Sequence, residues 1–229
     1  MPTATNNNTY DSVIGGDFPL VTDRVLIKTG DLAAGTVLAS YGISAGAKAK
    51  KSVTFSGTPV ASKKIVVAVN GVSVEYTTAS TTLADEVDGI SDAINDADSP
   101  LKAVVTATVS GAKLLIEWNE KSLEGNSMVI TVDVGTSGVT AGDVTEEVFG
   151  VGEGQELFEI VDSDSATASL QTPVAVLLEP VDASAGVVAG TVAFRGEFNG
   201  SALVFADGDD LDDFKFKLRK AGLYPKPAV

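Results

Sequence analysis

Short apolar runs, either alternating with polar residues or continuous, recur along the chain and are ended by Gly, Pro, Asn or Asp. Alternation with a period of two predicts half-buried strands, and short continuous apolar runs predict fully buried ones. The ends of the chain carry five such runs: Val21–Ile27, Thr36–Ala39, Leu157–Val161, Thr172–Leu178 and Val187–Phe194. Both ends of the chain are therefore predicted to consist mainly of strands.

The middle of the chain carries a second set of strand-like runs that follow one another closely. They are Ser52–Phe55, Ile65–Val69, Val72–Thr77, Ala103–Val109, Lys113–Trp118 and Met128–Val134. Asn70-Gly71 separates the second run from the third. Because both residues accept positive φ, this dipeptide predicts a type I′ hairpin turn.

Two segments have the spacing of an amphipathic helix instead. Leu83–Asn95 places Leu83, Val87, Ile90 and Ile94 on one face, and the segment from Leu211 to about Ala221 places Phe214 and Leu218 inward. Capping signals flank both helices: Thr82 with Asp85 for the first, Asp207–Asp210 and Gly222 for the second. The sequence thus predicts a mainly β protein of the α+β kind, with a short C-terminal helix.

Composition shifts divide the chain into segments. Residues 1–12 are polar and show no periodicity, which is typical of a flexible N-terminal arm. The small, basic stretch Ala45–Lys51 is interpreted as a linker, and Gly150–Gly154 as a domain junction. We therefore predict one discontinuous domain, 13–49 with 151–229, interrupted by a β-sandwich-like module with one helix at 50–150.

The composition excludes several kinds of chemistry. The 229 residues include no His and no Cys, which removes histidine-dependent and thiol-dependent catalysis and the usual zinc ligands. The net charge of −15 argues against nucleic acid as a partner, since phosphates reward clustered cations. The N-terminus lacks a signal-peptide pattern, and apolar stretches such as Val174–Leu178 are too short to span a bilayer. We expect synthesis in the cytoplasm and no membrane partner.

The residues that could suggest a chemical site are better explained by plain structural roles. The acidic run Asp207–Asp213 lacks the ligand spacing of an EF-hand, and helix capping explains it better. Glu197 with Asp182 lacks the surrounding groups of a glycosidase pair, and Trp118 adjoins an apolar run that favours packing. We therefore expect no catalytic residue, no cofactor and no metal site.

Two blocks of sequence resemble the lambdoid phage head-decoration (capsid cement) proteins. The first block is Asp17–Val25 followed by Gly35–Leu38; the second is Thr172–Leu178, Val181–Ser184 and Gly196–Asn199. About 90 residues take part, and the order of the segments matches that of the family. The resemblance implies a β-clip-like core, a homotrimer, and attachment to the major capsid protein on the outside of the virion.

The middle module is not part of that family's pattern. Its Thr58-Pro59, Val67–Val74 hairpin, Leu83–Ile94 helix and Gly125-Asn126-Ser127 resemble a β-rich module of phage tail-sheath proteins. Two alternatives to a decoration protein therefore stay open. One is an adhesive or glycan-binding surface module, and the other is a tail-tube or sheath component.

The decoration-protein resemblance also implies which residues act. Its N-terminal arm adds a strand to capsid-protein segments, so the predicted capsid contacts are Thr9, Tyr10 and Phe18. Gly196, Glu197, Phe198 and Asn199 form a segment predicted to lie in the core or at the trimer interface.

Overall fold

The computed structural model describes residues 13–16 and 19–227 of the chain. Strands predominate, and the two α-helices are α1 (Leu83–Asn95) and α2 (Leu211–Ala221). The sequence-based prediction of a mainly β fold with a short C-terminal helix is confirmed. The predicted arm, residues 1–12, lies outside the described residues.

The chain forms two compact units. One combines residues up to 44 with those from 154 onward, and the other comprises residues 45–153. The strands of the first are β1 (Val21–Ile27), β2 (Gly30–Leu32), β3 (Val37–Ala47), β11 (Val151–Ile160), β12 (Pro173–Leu177), β13 (Val181–Ala183), β14 (Val188–Asn199) and β15 (Leu223–Lys226). Those of the second are β4 (Lys50–Gly57), β5 (Lys64–Val69), β6 (Val72–Thr77), β7 (Val105–Ser110), β8 (Lys113–Trp118), β9 (Ile130–Asp133) and β10 (Val139–Val148).

Strand β14 organises the first unit. The main sheet has the order β1-β11-β3-β12-β14-β15, and β14 also pairs with β1, which closes five of the six strands into a circuit. β14 is antiparallel to β1 and β12 but parallel to β15. A closed circuit leaves few unpaired strand edges, which otherwise invite association with other chains. A two-stranded ribbon of β13 and β2 completes the unit.

Two groups of buried side chains stabilise the first unit. One lies where α2 packs on the sheet and contains Phe198, Phe214 and Leu218, all fully buried. The other lies around Ile27 and Leu177. Truncating a fully buried aromatic or aliphatic side chain typically costs about 2–5 kcal/mol, so these residues account for much of the unit's stability.

The second unit has one core to which two sheets and a helix contribute. Its sheets have the orders β10-β4-β8-β7 and β6-β5-β9. Phe55 from the first sheet, Ile65 from the second and Ile90 from α1 are all buried in that core. Asn70 and Gly71 adopt φ of 50° and 82° in a hairpin that pairs Val69 with Val72, so the predicted turn is confirmed.

The start of α1 differs from the predicted capping box. The hydroxyl of Thr82 makes no capping hydrogen bond. Instead, buried Glu86 accepts hydrogen bonds from the backbone amides of Ala79 (3.0 Å) and Ser80, which lie just before the helix. A carboxylate near a helix N-terminus also complements the helix dipole, which helps to explain why Glu86 is buried.

The predicted linker starts at the boundary between the two units, but most of it is strand. Ala45–Lys51 lies in the end of β3 and the start of β4. Its lysines are satisfied by carboxylates from other strands: Lys50 pairs with Glu117 at 2.9 Å, and Lys51 pairs with Glu146 at 3.0 Å. Because those carboxylates lie more than 60 residues away in sequence, the local composition indicated a solvated linker where the fold has paired strands.

The predicted junction at Gly150–Gly154 contains the boundary between the two units, which falls between Glu153 and Gly154, but its backbone is a strand. Most of this segment is the first part of β11, so the chain enters the second unit within β3 and returns within β11. Four strands were not predicted at all: β2, β10, β13 and β15. β10 pairs with β4 through two register shifts, and four-residue β15 pairs with the end of β14.

Candidate interaction surface

The segment Gly196–Asn199 is the second half of β14, where it pairs in parallel with β15. Phe198 is fully buried and packs with Phe214 and Leu218 from α2. The structure therefore places Phe198 in the core of its own chain. The location of the segment at a subunit interface stays a prediction.

The polar side chains of this segment are engaged within the chain. The Oε1 atom of Glu197 lies 2.8 Å from Nζ of Lys226 on β15. The Oδ1 atom of Asn199 accepts hydrogen bonds from the backbone amide (3.2 Å) and the hydroxyl (2.8 Å) of Ser201. These bonds fix the turn that follows β14 and leads toward α2.

The first described residues, Val13–Gly16, run beside this same segment. The amide of Gly15 donates to the carbonyl of Glu197 at 2.9 Å, and the amide of Asn199 donates to the carbonyl of Val13 at 2.8 Å. A Cβ on Gly15 would lie 2.5 Å from the carbonyl carbon of Phe198, and one on Gly16 would lie 1.9 Å from the Glu197 carboxylate. Glycine is thus required at position 15, where the contact is with backbone, whereas at position 16 the Glu197 side chain could move aside.

The predicted capsid contacts, Thr9, Tyr10 and Phe18, lie outside the described residues. Residues 1–12 nevertheless join the fold at Val13, which is buried and hydrogen-bonded to Asn199. The point at which the predicted arm meets the fold is therefore well defined.

Helix α2 has the predicted bounds and caps. Asp210 and Asp213 form a reciprocal capping box, and Gly222 ends the helix with φ of 84°. Its inner face buries Phe214, whose ring stacks on that of Phe205 with centroids 5.5 Å apart. Because consecutive helical residues are 100° apart, Phe216 projects away from Phe214 and Leu218.

Phe216 is 81% exposed, the highest value among the large hydrophobic side chains in the described part of the chain. It borders a groove of about 550 Å³ between α2 and the start of β12. The groove is lined by Thr172, Pro173, Val174, Phe216, Lys217, Lys220 and Ala221. Lys217 is anchored there, since its Nζ donates to the carbonyl of Gln171 at 2.8 Å. We call Phe216 and this groove the α2 outer face.

Charge is strongly separated along α2. The start of α2 and the residues just before it carry exposed carboxylates: Asp207, Asp210, Asp212 and Asp213. The later part of the helix carries exposed cations on Lys215, Arg219 and Lys220. Lys215 pairs with Asp212 at 3.6 Å. Arg219 and Lys220 form no ion pair with another residue that the structure describes.

The carboxylates considered for chemistry have structural partners. Asp209 accepts from the amide (2.9 Å) and hydroxyl (2.5 Å) of Ser163. Hydrogen bonds from the hydroxyl and amide of Ser184 lower the pKa of Asp182, which closes a tight turn after β13. Within residues 13–16 and 19–227, no three acidic side chains are grouped so that they could hold a metal ion.

Trp118 is half-buried and packs on the core of the second unit. A Cβ on Gly125 would lie 2.7 Å from Cβ of Trp118, so the backbone passes directly against this side chain. A small depression of about 180 Å³ adjoins it, lined in part by Asn119 and Glu120. The packing role predicted for Trp118 agrees with this placement.

Phe216 was not singled out from the sequence, although a signal was available. The helical spacing that turns Phe214 and Leu218 inward turns Phe216 outward, among lysines and an arginine. An aromatic residue on the charged face of an otherwise regular amphipathic helix has no packing role in its own fold. A single exposed apolar side chain is common on protein surfaces, so the groove beside Phe216 is what makes this position a candidate contact surface.

No helix in the described part of the chain is long and apolar enough to cross a membrane. No protein-family model and no curated protein matches the chain.

The solved structures that are weakly similar to the chain include two of the flagellar cap protein FliD and one from a phage. The chain is 15% identical to the flagellar cap protein FliD of Pseudomonas aeruginosa PAO1, with a TM-score of 0.35 over 86% of this chain and 91% of that one. The chain is 13% identical to the D2-D3 domains of the flagellar cap protein FliD from Escherichia coli, with a TM-score of 0.30 over 76% of this chain and 98% of that one. It is 16% identical to a chain in a structure from Mycobacterium phage Patience, with a TM-score of 0.27 over 80% of this chain and 96% of that one. Likenesses at this level assign neither a family nor an activity to the chain.

Proposed function

We propose that this chain is a non-enzymatic structural protein of a phage virion that binds the outside of the capsid as a homotrimer and stabilises the shell. The observation that carries the proposal is that both blocks resembling decoration proteins belong to one compact unit. They meet on β14, which pairs with β1 from the first block and with β12 from the second. Segments about 150 residues apart in sequence thus form one structure.

The N-terminal segment supports the mode of attachment. Val13–Gly16 is held by backbone hydrogen bonds to β14, so residues 1–12 start from a fixed point. At about 3.3 Å per residue, twelve residues reach up to about 40 Å. An extended segment can add a strand to another protein, with the hydrogen bonds coming from its backbone. We place the capsid contacts at Thr9, Tyr10 and Phe18.

Three copies strengthen such attachment by multivalency. Once one arm of a trimer is bound, the other two are held near their own sites at high effective concentration. Contacts that are individually weak then resist the outward pressure of packaged DNA. This role requires no catalytic group, in keeping with the absence of His and Cys.

Deleting residues 1–12 is the direct test of attachment. We expect the truncated protein to unfold at the same temperature as the full chain, because the core begins at Val13. Its binding to expanded empty phage heads should weaken by about tenfold or more, equivalent to at least about 1.4 kcal/mol. Co-sedimentation with heads over a range of protein concentrations measures this change.

Point variants test how much the side chains of the arm, as distinct from its backbone, contribute to binding. The double variant Tyr10→Ala/Phe18→Ala should weaken binding, whereas Val129→Ala, an exposed position in the second unit, should not. Equal binding by the truncated and full-length proteins would contradict the role of the arm. Failure of the full chain to bind any expanded head would overturn the proposed function, and glycan binding that maps to 50–150 would then favour the adhesive alternative.

A further inference from the structure

The α2 outer face combines features that a solvated helix surface does not need. Phe216 remains 81% exposed beside a groove whose wall includes Pro173 and Val174. Aromatic side chains are enriched at the energetic centres of protein interfaces, where they fill desolvated contacts. Burying a phenylalanine removes roughly 150–250 Å² of surface from water, so an exposed one next to a groove is well suited to anchor a partner.

The charges indicate which partner fits. The chain carries a net charge of −15, so two copies repel each other over most of their surfaces. Five of its 16 cationic residues nevertheless fall within residues 215–226. Immediately before them, Asp207, Asp210, Asp212 and Asp213 form an exposed acidic end. A second copy of this chain therefore offers an acidic surface that matches the basic one.

The separation of the two ends sets the geometry of such a contact. The 11 residues of α2 span about 16 Å, so the acidic start and the basic end of one helix are distinct surfaces. Asp212 is 85% exposed, and Arg219 and Lys220 lack ion-pair partners among the described residues. Both ends therefore retain charge that a neighbouring chain can pair.

We propose that copies of this chain associate through the α2 outer face, with the basic end of one α2 against the acidic start of α2 in the next copy. Phe216 and its groove are buried at the centre of this contact. The contact joins two different surfaces, and contacts of that kind close into a ring when the rotation between copies allows it. Only the number of copies, three, rests on the proposed function.

Charge reversal tests the pairing of the two ends. Arg219→Glu/Lys220→Glu places two carboxylates at the basic end of α2, and Asp207→Lys/Asp212→Lys places two cations at its acidic start. We expect the full chain to be a trimer by light scattering and each double variant to be mainly monomeric. The combined fourfold variant restores opposite charges and should be trimeric again. Rescue of this kind distinguishes pairing between copies from loss of folding.

A variant of Phe216 tests the apolar centre of the contact. Phe216→Ser should shift the concentration for trimer dissociation upward by roughly thirtyfold or more, the scale expected for an aromatic anchor. Because the side chain is exposed in the single chain, thermal unfolding of the monomer should be unchanged. Val129→Ser, which changes a 61% exposed residue in the other unit, is the matched control and should leave the trimer intact.

The outcomes separate this inference from the proposed function. A trimer that resists both charge reversal and Phe216→Ser shows that copies meet elsewhere, and head binding then stands on its own measurement. Charge-reversed variants that dissociate without rescue by the fourfold variant contradict the pairing of the two ends. A full chain that is monomeric at all concentrations overturns both this inference and the trimer in the proposed function.

Discussion

At the scale of single residues, Tyr76 shows how packing changes the acid–base behaviour of a side chain. Burial and the neighbouring Glu86 carboxylate raise the pKa of Tyr76 from 10.0 to about 12. The folded protein therefore keeps the phenol protonated over a range in which the unfolded chain ionises it. The stabilisation is complete below pH 10 and is lost as the pH rises through about 12.

This gives a prediction for alkaline unfolding. Between pH 10 and 12 the free energy of unfolding should fall more steeply for the full chain than for Tyr76→Phe, which lacks the ionisable group. Urea unfolding at several pH values measures the difference. Absorbance at 295 nm should show one tyrosine transition near pH 12 that Tyr76→Phe removes and Tyr224→Phe retains. If both variants retain it, the raised pKa belongs to another residue.

At the scale of elements, the two helices start in physically different ways. The side chain of Asp210 accepts a hydrogen bond from the amide of Asp212 at 2.7 Å, and Asp213 closes the capping box. Thr82 occupies the equivalent position of α1 but makes no such bond, and Glu86 takes over the amides before that helix. The same kind of sequence signal thus corresponds to a real cap in α2 alone.

Alanine substitution at the two positions should separate these cases. Asp210→Ala should lower the free energy of unfolding by about 1 kcal/mol, the usual cost of losing an N-cap. Thr82→Ala should change it by less than about 0.5 kcal/mol, as expected of an exposed residue without a bond to lose. Chemical denaturation of each variant at pH 7 gives both values. A larger effect for Thr82→Ala than for Asp210→Ala would show that the cap assignment is reversed.

At the scale of the whole molecule, the two units have separate cores that share no residue. The core of the second unit includes Ile90, and that of the first includes Phe214. Compact units with their own cores usually unfold as cooperative blocks. We therefore expect two calorimetric transitions, one for each unit.

Substitutions in each core should assign the transitions. Ile90→Ala should lower one of them, at a cost of about 2–5 kcal/mol, and leave the other in place. Phe214→Ala should lower the other, at a cost of about 3–5 kcal/mol. Differential scanning calorimetry of the full chain and both variants is the measurement. A single transition that both substitutions shift together would mean that the units unfold as one.

Local patterns explain the parts of the fold that were predicted. Short continuous apolar runs identified β5 and β8, and the Asn70-Gly71 turn follows from the φ values that those residues accept. The bounds of α2 follow from its apolar spacing and its end signals. Each of these features depends on residues within a few positions of one another, so the sequence states them directly.

Pairing between distant segments explains what was missed. β10 has little alternation and is mostly exposed, yet it is a strand because the edge of β4 supplies its hydrogen-bond partners. β15 is only four residues long and exists because the end of β14 lies beside it. The lysines of β4 were interpreted as part of a linker, because the sequence does not show that Glu117 and Glu146 pair with them in the fold. Backbone pairing between distant strands cannot be recognised from the local sequence of either strand.

The α2 outer face shows the same division between sequence and structure. The sequence by itself determined the helix, its caps, its inward Phe214 and Leu218, and the separation of acidic from basic residues along it. Only the tertiary structure placed β12 beside Phe216 to form a groove, and brought Val13–Gly16 and Gly196–Asn199 onto one ladder. Helical periodicity and capping act over single turns of chain, whereas a surface forms only once segments far apart in sequence have been packed together.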